Sequence, residues 1–531
     1  MLSQLVYKIY LAMITFNTWW WEVGNQKDEL ARLILTISVP SLLLVWYKWM
    51  FYYTTTPPLP PGPYGLPIVG YLPFFGSNVH EIFTAMADKY GPIFSVRLGS
   101  KLHVVVNSID LVKIVAREQD QIFANRSAPT TAVTITYGLM DIVWSDLNQN
   151  WKNMRKILVS QVLSNKNLNT FQNFRKREVR KVVNEVYTKL GAKININQLA
   201  FNTSLNIVTT MLWGNTKPVY DIDEFRELEL KITELLGAPN ISDFIPILSR
   251  FDIHGFNRDM QKQYKHIDHI FNNFIEEKIK VNNKNDGTLS KEKEMKDILQ
   301  ILLELKDEIN DPTKFNTDHI KALIINIVIG ATDTTSAMVE WAMAMILDNP
   351  DVMKKIQHEL TEVIGMNNIV EESQVLKLSY LDAVVKETFR LHAPVPLLIQ
   401  RSPSESCIVG GYSVPKGATV SINVWAIHRD PNIWENALEF KPERFLNNKW
   451  DYRGNNFKFM PFGSGRRLCP GIEVGDKMVL YILASLLHSF EWSLPKDEEF
   501  QLTDEFGIVA KKRKPLIAIP SQRLSSESLY N

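Results

Sequence analysis

Cysteine is nearly absent. The 531-residue chain holds two, Cys407 and Cys469, far apart in sequence. That excludes a disulfide framework and points to a reducing compartment. An excess of one charge is missing too: the net charge is +1, which argues against nucleic acid as the main partner. No internal repeat is visible, and no convincing linker follows residue 63. No Lys-Ser/Thr follows the glycines of Gly463-x-Gly465, and no dinucleotide-type G-x-G-x-x-G stands there, so a phosphate cradle is disfavoured. No flavin or nicotinamide fingerprint appears elsewhere, so electrons for any redox chemistry must come from outside the chain.

Leu33 to Tyr47 is apolar apart from Thr36, Ser38 and Ser41 and is bracketed by Arg32 and Lys48. It falls short of the ~20 residues that cross a bilayer. Snorkelling by the flanking cations, with Trp46, Trp49, Tyr52 and Tyr53 as interfacial anchors, extends its reach, and Pro40 would kink it. A membrane anchor within residues 1–53 is preferred to a cleaved signal peptide, because a long segment precedes it and no A-x-A-like site follows. Ile9 to Trp21 is also apolar and has no resolved role. The prolines of Pro57 to Pro63 make residues 54–63 a stiff hinge, leaving residues 64–531 as one large catalytic domain.

Within that domain, Ile93 to Leu98 and His103 to Val106 read as a hairpin around Gly99. Residues 160–310 are mostly helical in pattern. Asn240 to Gly255 reads as an apolar loop, equally compatible with membrane contact and with core packing. Val281 to Lys296 reads as a solvated loop. The sequons at Asn125, Asn202 and Asn240 carry no weight on a cytosolic face.

Four stretches carry chemistry. Trp151 and Arg155 share a helix face at i, i+4; alone, the pair suggests a core Trp beside a solvated Arg. Asp318 to Asp348 is a long helical pattern, capped by Asn316 or Thr317 and ended by Asn349-Pro350. Inside it, Gly330-Ala331-Thr332-Asp333-Thr334-Thr335 breaks helix propensity, because mid-helix hydroxyls compete for the backbone. Such a violation marks either function or a packing notch. Glu387 and Arg390 lie at i, i+3, by default a surface ion pair, with Arg444 as a possible third member. Finally, Phe462-Gly463-Ser464-Gly465-Arg466-Arg467-Leu468-Cys469-Pro470-Gly471 sets a cysteine among glycines and arginines before an apolar helix. A thiolate there gains from the helix dipole, and Arg467 is placed to meet an acidic ligand edge.

Phe462, Gly465, Arg467, Cys469 and Gly471 match every fixed position of F-x-x-G-x-R-x-C-x-G, and the chain thereby resembles the cytochrome P450 superfamily. The resemblance implies a mainly α fold with a smaller β region (α+β) and haem b held through Cys469 as axial ligand of the iron. It implies that Trp151, Arg155, Arg126 and Arg401 meet the haem propionates. Asp333 and Thr334 become the acid–alcohol pair that delivers protons to dioxygen, with Ala331 standing where glycine is more usual. Glu387, Arg390 and Arg444 become a buried structural triad. NADPH enters indirectly, through a reductase whose candidate contacts are Arg466, Lys458 and Lys152. A single N-terminal anchor in the endoplasmic reticulum membrane, with the domain facing the cytosol, completes the implied picture.

Pocket candidates by position are Thr131 to Met140, Ile327, Ala331, Val395 to Ile399 (with Leu398) and Phe506 to Val509 (with Ile508). They are mostly apolar or small, which suits a lipophilic substrate. Pro403-Ser404-Glu405-Ser406-Cys407, Val409-Gly410-Gly411-Tyr412 and Ala426 to Pro431 resemble a plant microsomal branch that includes sesquiterpene hydroxylases of the cadinene type. The expected reaction is hydroxylation of a terpenoid in secondary metabolism. The alternatives are a phenolic, oxime or fatty-acid substrate, or a haem isomerase or dehydratase, which usually lacks the threonine present here as Thr334. More distant is a membrane-anchored phosphate-binding protein. Cys407 has no assigned role.

Overall fold

The computed structural model describes residues 33, 36–45, 57–214, 222–285, 296–446 and 450–531. Ile9 to Trp21, Trp46, Trp49, Tyr52, Tyr53 and the first residues of the expected hinge lie outside them. Of the apolar segment 33–47, a helix spanning Thr36–Val45 is described, with Leu42, Leu44 and Val45 exposed.

The longer helices of the body are α1 Val79–Tyr90, α2 Gln149–Ile157, α3 Gln172–Thr188, α4 Ile196–Trp213, α5 Ile222–Gly237, α6 Phe256–Asn285, α7 Ile298–Ile309, α8 Thr317–Asp348, α9 Pro350–Val363, α10 Ser379–Leu391 and α11 Ile472–Ser489. The strands are β1 Ile93–Leu98, β2 Lys101–Val106, β3 Asn125–Arg126, β4 Ile194–Asn195, β5 Arg401–Ser402, β6 Cys407–Val409, β7 Tyr412–Val414, β8 Thr419–Ile422, β9 Phe490–Ser493, β10 Asp504–Glu505, β11 Lys511–Lys512 and β12 Ile517–Gln522. This is the mainly α architecture with a smaller β region that the sequence led us to expect.

Helix α8 is the axis. Asn316 caps it through a reciprocal box with His319, and the Asn349–Pro350 step ends it as expected. It is apolar enough to cross a membrane, yet 67% of its most apolar window is buried, so its length serves the core. It packs along α4 and against α10 and α11, burying Trp341, Met338 and Val339. The expected β1–β2 hairpin forms, its second strand starting two residues earlier at Lys101, opposite Leu98, and the sheet runs β1-β2-β8-β5-β3 with β2 and β8 parallel. Gly99 turns it at φ +59°, with the Phe244 carbonyl where a Cβ would stand.

One expectation changes in part: residues 281–285 continue α6 rather than opening a solvated loop, and residues 286–295 lie outside the described residues. Pro57 to Pro63, the described part of the expected hinge, lie against the domain: the Pro61 carbonyl accepts from Ser95 N at 2.8 Å and the Pro58 carbonyl from Ser413 N at 2.8 Å. Residues 241–251 fold into short helical turns that divide between the two readings: Ile245 is buried and Phe244 packs on the core, whereas Ile247 and Phe251 are 78% and 73% exposed.

Candidate active site

The loop from Phe462 to Gly471 turns tightly before α11. Gly465 sits at φ +70°, and a Cβ there would lie 2.3 Å from the Ala116 carbonyl oxygen, so glycine is required. The Cys469 amide donates to the Phe462 carbonyl at 3.0 Å, closing the loop on itself. Phe462 packs against Phe389 and Tyr452, with ring centroids 5.1 and 5.0 Å away. Gly471 precedes α11 with φ −90°, and its N–H donates to the Cys469 sulfur at 3.4 Å. The helix terminus does not by itself make a thiolate: burial pushes the thiol up, and the Gly471 N–H and the Arg155 charge offset it only in part. Both cysteines are free, and Cys407 is pushed up to about 11 by burial.

Cys469 opens onto a cavity of about 250 Å³, lined across from it by α8. Gly330 leaves that wall open, since nothing lies within 4 Å of a Cβ built on it. Arg126, Arg155, Arg401 and Arg467 all line the same cavity. Backbone carbonyls hold them: Arg155 donates to Leu468 O at 2.6 Å, Arg401 to Ser464 O at 2.8 Å, Arg126 to Val143 O at 3.0 Å and Arg467 to Ile142 O at 3.1 Å. Burial, and then the charges of Arg467 and Arg401, depress the pKa of Arg126. Arg467 is lowered to about 10 by burial and by Arg401, and stays charged at neutral pH. Asp120, Asp141 and Asp146 are nearby carboxylates, and burial raises Asp141 toward its neutral form. A crowded cationic rim, a sulfur donor and an open slot beside Gly330 fit haem, a flat iron chelate with two carboxylates.

Trp151 stands against the cationic rim. Its indole N–H donates to Ile142 O at 3.0 Å, and its ring meets the Arg155 and Arg467 guanidinium groups, 5.6 and 4.5 Å from the centroid. It is a platform that holds two arginines and does not line the cavity.

The i, i+3 pair is no surface pair. Glu387 and Arg390 are fully buried and joined by two bonds, at 2.7 and 2.8 Å. Arg444 reaches Glu387 at 3.3 Å, and the Lys441 amide donates to the same oxygen at 2.8 Å. Arg390 spends its other donors on the carbonyls of His428, Ala437 and Glu439.

On α8, Thr334 lines the cavity and donates to Gly330 O at 2.6 Å. Asp333 faces elsewhere: it is fully buried and pairs with Lys511 of β11 at 2.6 Å. The helical phase also corrects two pocket candidates. Asn326, Gly330 and Thr334 recur at i, i+4 toward the cavity, whereas Ile327 and Ala331 fall on the adjoining face and pack against the core. Val395, Leu398, Ile508 and Val509 do line it, as do Ile135 and Thr136 from the 131–140 segment. Sequence reading missed Leu236, Asn326 and Lys511, whose positions depend on packing between distant segments and carry no local signal.

The Cytochrome P450 family matches residues 60–519. Geraniol 8-hydroxylase of Catharanthus roseus is 36% identical over 499 residues, covering 92% of this chain and 99% of its own. A flavonoid 3'-monooxygenase of Crocosmia x crocosmiiflora is 36% identical over 488 residues, covering 89% and 94%. A solved zebra fish cytochrome P450 with progesterone superposes with a TM-score of 0.71 at 24% identity, covering 84% of this chain and all of that one, a likeness of fold. With a cysteine loop, a cationic rim and an open helix wall meeting at one cavity, and with the match extending over most of its length, the chain belongs to the cytochrome P450 family as a plant-type, haem b-dependent monooxygenase.

Proposed function

We propose that this protein hydroxylates a small lipophilic terpenoid, a sesquiterpene-like hydrocarbon, with electrons passed from NADPH by a separate reductase. The observation that carries the substrate class is the polarity of the cavity wall. Leu236, Ile329, Val395, Leu398, Ile508 and Val509 supply apolar surface. The polar side chains among them turn inward: Thr136 donates to Ala132 O at 2.7 Å, Thr334 to Gly330 O, and Asn326 bridges Ile142 N and Asp141. Thr335 also lines the cavity, so the wall is mainly apolar rather than free of polar groups; such a wall orients its ligand chiefly by shape and favours hydrocarbon over polyphenol.

Bound haem b supplies dioxygen activation and C–H oxidation, and the residues around it hold, shield and protonate. Cys469 is assigned as the iron ligand, with Phe462 shielding the loop. Arg126, Arg155, Arg401 and Arg467 are assigned to the carboxylate edge. Thr334 is assigned to proton delivery in the cavity, with Asp333 behind it. The net reaction consumes substrate, dioxygen, two electrons and two protons and yields alcohol and water.

Arg466, Lys458 and Lys152 are exposed and support a cationic docking face for the reductase. Exposed Ile247, Phe251 and Ile253, together with the apolar helix Thr36–Val45, support contact with the endoplasmic reticulum membrane.

The test is the ferrous–carbon monoxide spectrum beside a Cys469→Ala control, followed by terpene and flavonoid panels with reductase and NADPH. A red-shifted Soret band lost in the control, with terpene products only, is expected. Flavonoid turnover in preference to terpenes would overturn the substrate class.

A further inference from the structure

Ile135, Thr136 and Ile142 bring the segment 130–142 to the cavity, and a strained turn lies between them. The short helix Thr130–Ile135 runs into Tyr137, Gly138 and Leu139, which take φ of +54°, +76° and +63°. Glycine adopts this left-handed backbone freely; tyrosine and leucine do not, so two residues of the turn are held against their preference. Local bonds shape it: Gly138 N donates to Val133 O at 2.9 Å, Met140 N to Thr136 O at 3.0 Å and Leu139 N to Thr136 Oγ1 at 3.2 Å. The two ends are pinned to other segments. Thr130 N donates to Asp243 at 2.8 Å, and Ile142 N donates to Asn326 of α8 at 3.0 Å.

The turn itself is pinned by Tyr137, which does not line the cavity. Its phenol donates to Asp268 Oδ1 of α6 at 2.9 Å, and the buried Lys321 of α8 donates to the same oxygen at 2.7 Å. The Lys321 ammonium stands 5.3 Å from the centre of the Tyr137 ring, and Tyr264 of α6 meets that ring edge-on at 5.2 Å. Asn272 donates to the second Asp268 oxygen at 3.0 Å, so the acceptor is fixed from both sides. Burial, then the Asp268 charge, push the phenol up from its ordinary value, and it remains a donor at neutral pH. A charge-assisted bond thus ties the strained turn to two long helices. Backbone strain of this kind persists only where the surroundings over-determine it.

We propose that Tyr137 is a positioning residue that sets substrate selectivity from outside the cavity. Its clasp on Asp268 and Lys321 holds the left-handed turn, and the turn holds the wall that Ile135 and Thr136 present to the ligand. The inference rests on the reading of this cavity as the substrate site. A mainly apolar wall orients its ligand chiefly by shape, so its placement decides which carbon is presented for oxidation. Releasing the clasp lets Tyr137 and Leu139 return to negative φ, and Ile135 and Thr136 then shift relative to α8. The reaction still runs, on a less closely held substrate.

The experiment uses full-length holoprotein with its reductase in membranes, as wild type, Tyr137→Phe, Leu139→Gly and the double variant. Geraniol and cadinene are the probes. Y137F removes one oxygen; it is expected to spread hydroxylation of each probe over more carbons and to weaken probe binding, read from the spectral shift, by about tenfold. Hydrogen exchange at the Gly138, Leu139 and Met140 amides should quicken by about the same factor, while the carbon monoxide spectrum stays unchanged. Leu139→Gly relieves the strain at one position, because glycine reaches positive φ freely. Y137F should therefore scatter products less in the L139G background than in wild type. A merely structural tyrosine would lower the thermal midpoint and leave the product distribution alone. Unchanged products and exchange in Y137F, or equal scatter in both backgrounds, overturns the inference alone. If wild type lacks the red-shifted band, or makes NADPH-dependent product from neither probe, the functional reading has failed instead, and the exchange rates still decide the clasp.

Discussion

The imidazole of His428 accepts a hydrogen bond from the Met460 amide at 3.1 Å, and this bond ties the buried triad to the cysteine loop. Arg390 holds the His428 carbonyl at 2.7 Å from one side, and Gly463 N donates to Met460 O at 3.0 Å on the other. The path from Glu387 to the loop is therefore continuous through Arg390, His428 and Met460. Burial, then the charges of Arg390 and Arg429, lower His428 to about 3, so the ring stays neutral and keeps its acceptor lone pair.

Replacing His428 with Phe orphans the Met460 amide and is expected to cost about 1–3 kcal/mol. Haem retention during gel filtration should fall with it, and H428Q should recover part of both. The pH dependence follows from the unfolded chain, where histidine protonates near its ordinary ~6.5 while the folded ring does not until about 3. Stability is thus fully present above about 6.5 and is lost as pH falls toward 3. Urea midpoints from pH 7 to 4 should show a slope that is shallower in H428Q.

Removing Glu387 tests the triad. Glu387→Ala leaves Arg390 charged, fully buried and short of two acceptors, an arrangement expected to cost about 3–5 kcal/mol. Arg390→Lys should be nearly as damaging, because one ammonium cannot serve the carboxylate and three carbonyls that the guanidinium reaches. Expression yield of haem-loaded protein and thermal midpoints report the loss. Wild-type stability in E387A would refute a bracing role.

The sequence made the loop and the span of α8 legible for a shared reason. Each is written in contiguous residues whose types are chemically unusual: Gly465 where φ is positive, the Gly330–Thr335 break inside an apolar helix, an Asn-Pro stop. What it could not show depends on packing between distant segments. Lys511 meets Asp333 across 178 positions, and Asn326 meets Asp141 across 185. Trp151 is on the expected face, and its contact with Arg467, 316 positions away, carries no local signal. Ile327 and Ala331 failed on helical phase alone, one residue away from Asn326 and Gly330.

Two glycines of the site should respond in opposite ways. Gly465→Ala forces a Cβ against the Ala116 carbonyl at a positive φ, so folding of the loop and haem incorporation should both suffer. Gly330→Ala adds a Cβ into open cavity and stays helical, which alanine favours by ~1 kcal/mol over glycine. Its thermal midpoint should hold or rise while substrate-induced spectral shifts weaken. A destabilised G330A would place that wall in contact with other residues and refute the open slot.

Behind the loop, Asp476 on α11 gives the clearest pH signature. Burial, then the neighbouring Asp382 charge, raise it to about 7, against the partial opposition of Lys386 and Tyr452, and its Oδ1 lacks a partner. The unfolded carboxyl ionises near its ordinary 3.8, so between about 4 and 7 the folded state binds the extra proton. Wild type should therefore lose stability as pH rises through that window and level off above it. Asp476→Asn carries no such charge and should gain on wild type as pH rises through the window. The gain is at most ~1.36 kcal/mol for each pH unit crossed, and contact with solvent reduces it. Thermal midpoints of both proteins at pH 5, 6, 7 and 8 decide the matter: a difference that widens to pH 7 and then stays constant is the expected result. Parallel curves would mean that Asp476 is ionised throughout and that Lys386 governs it.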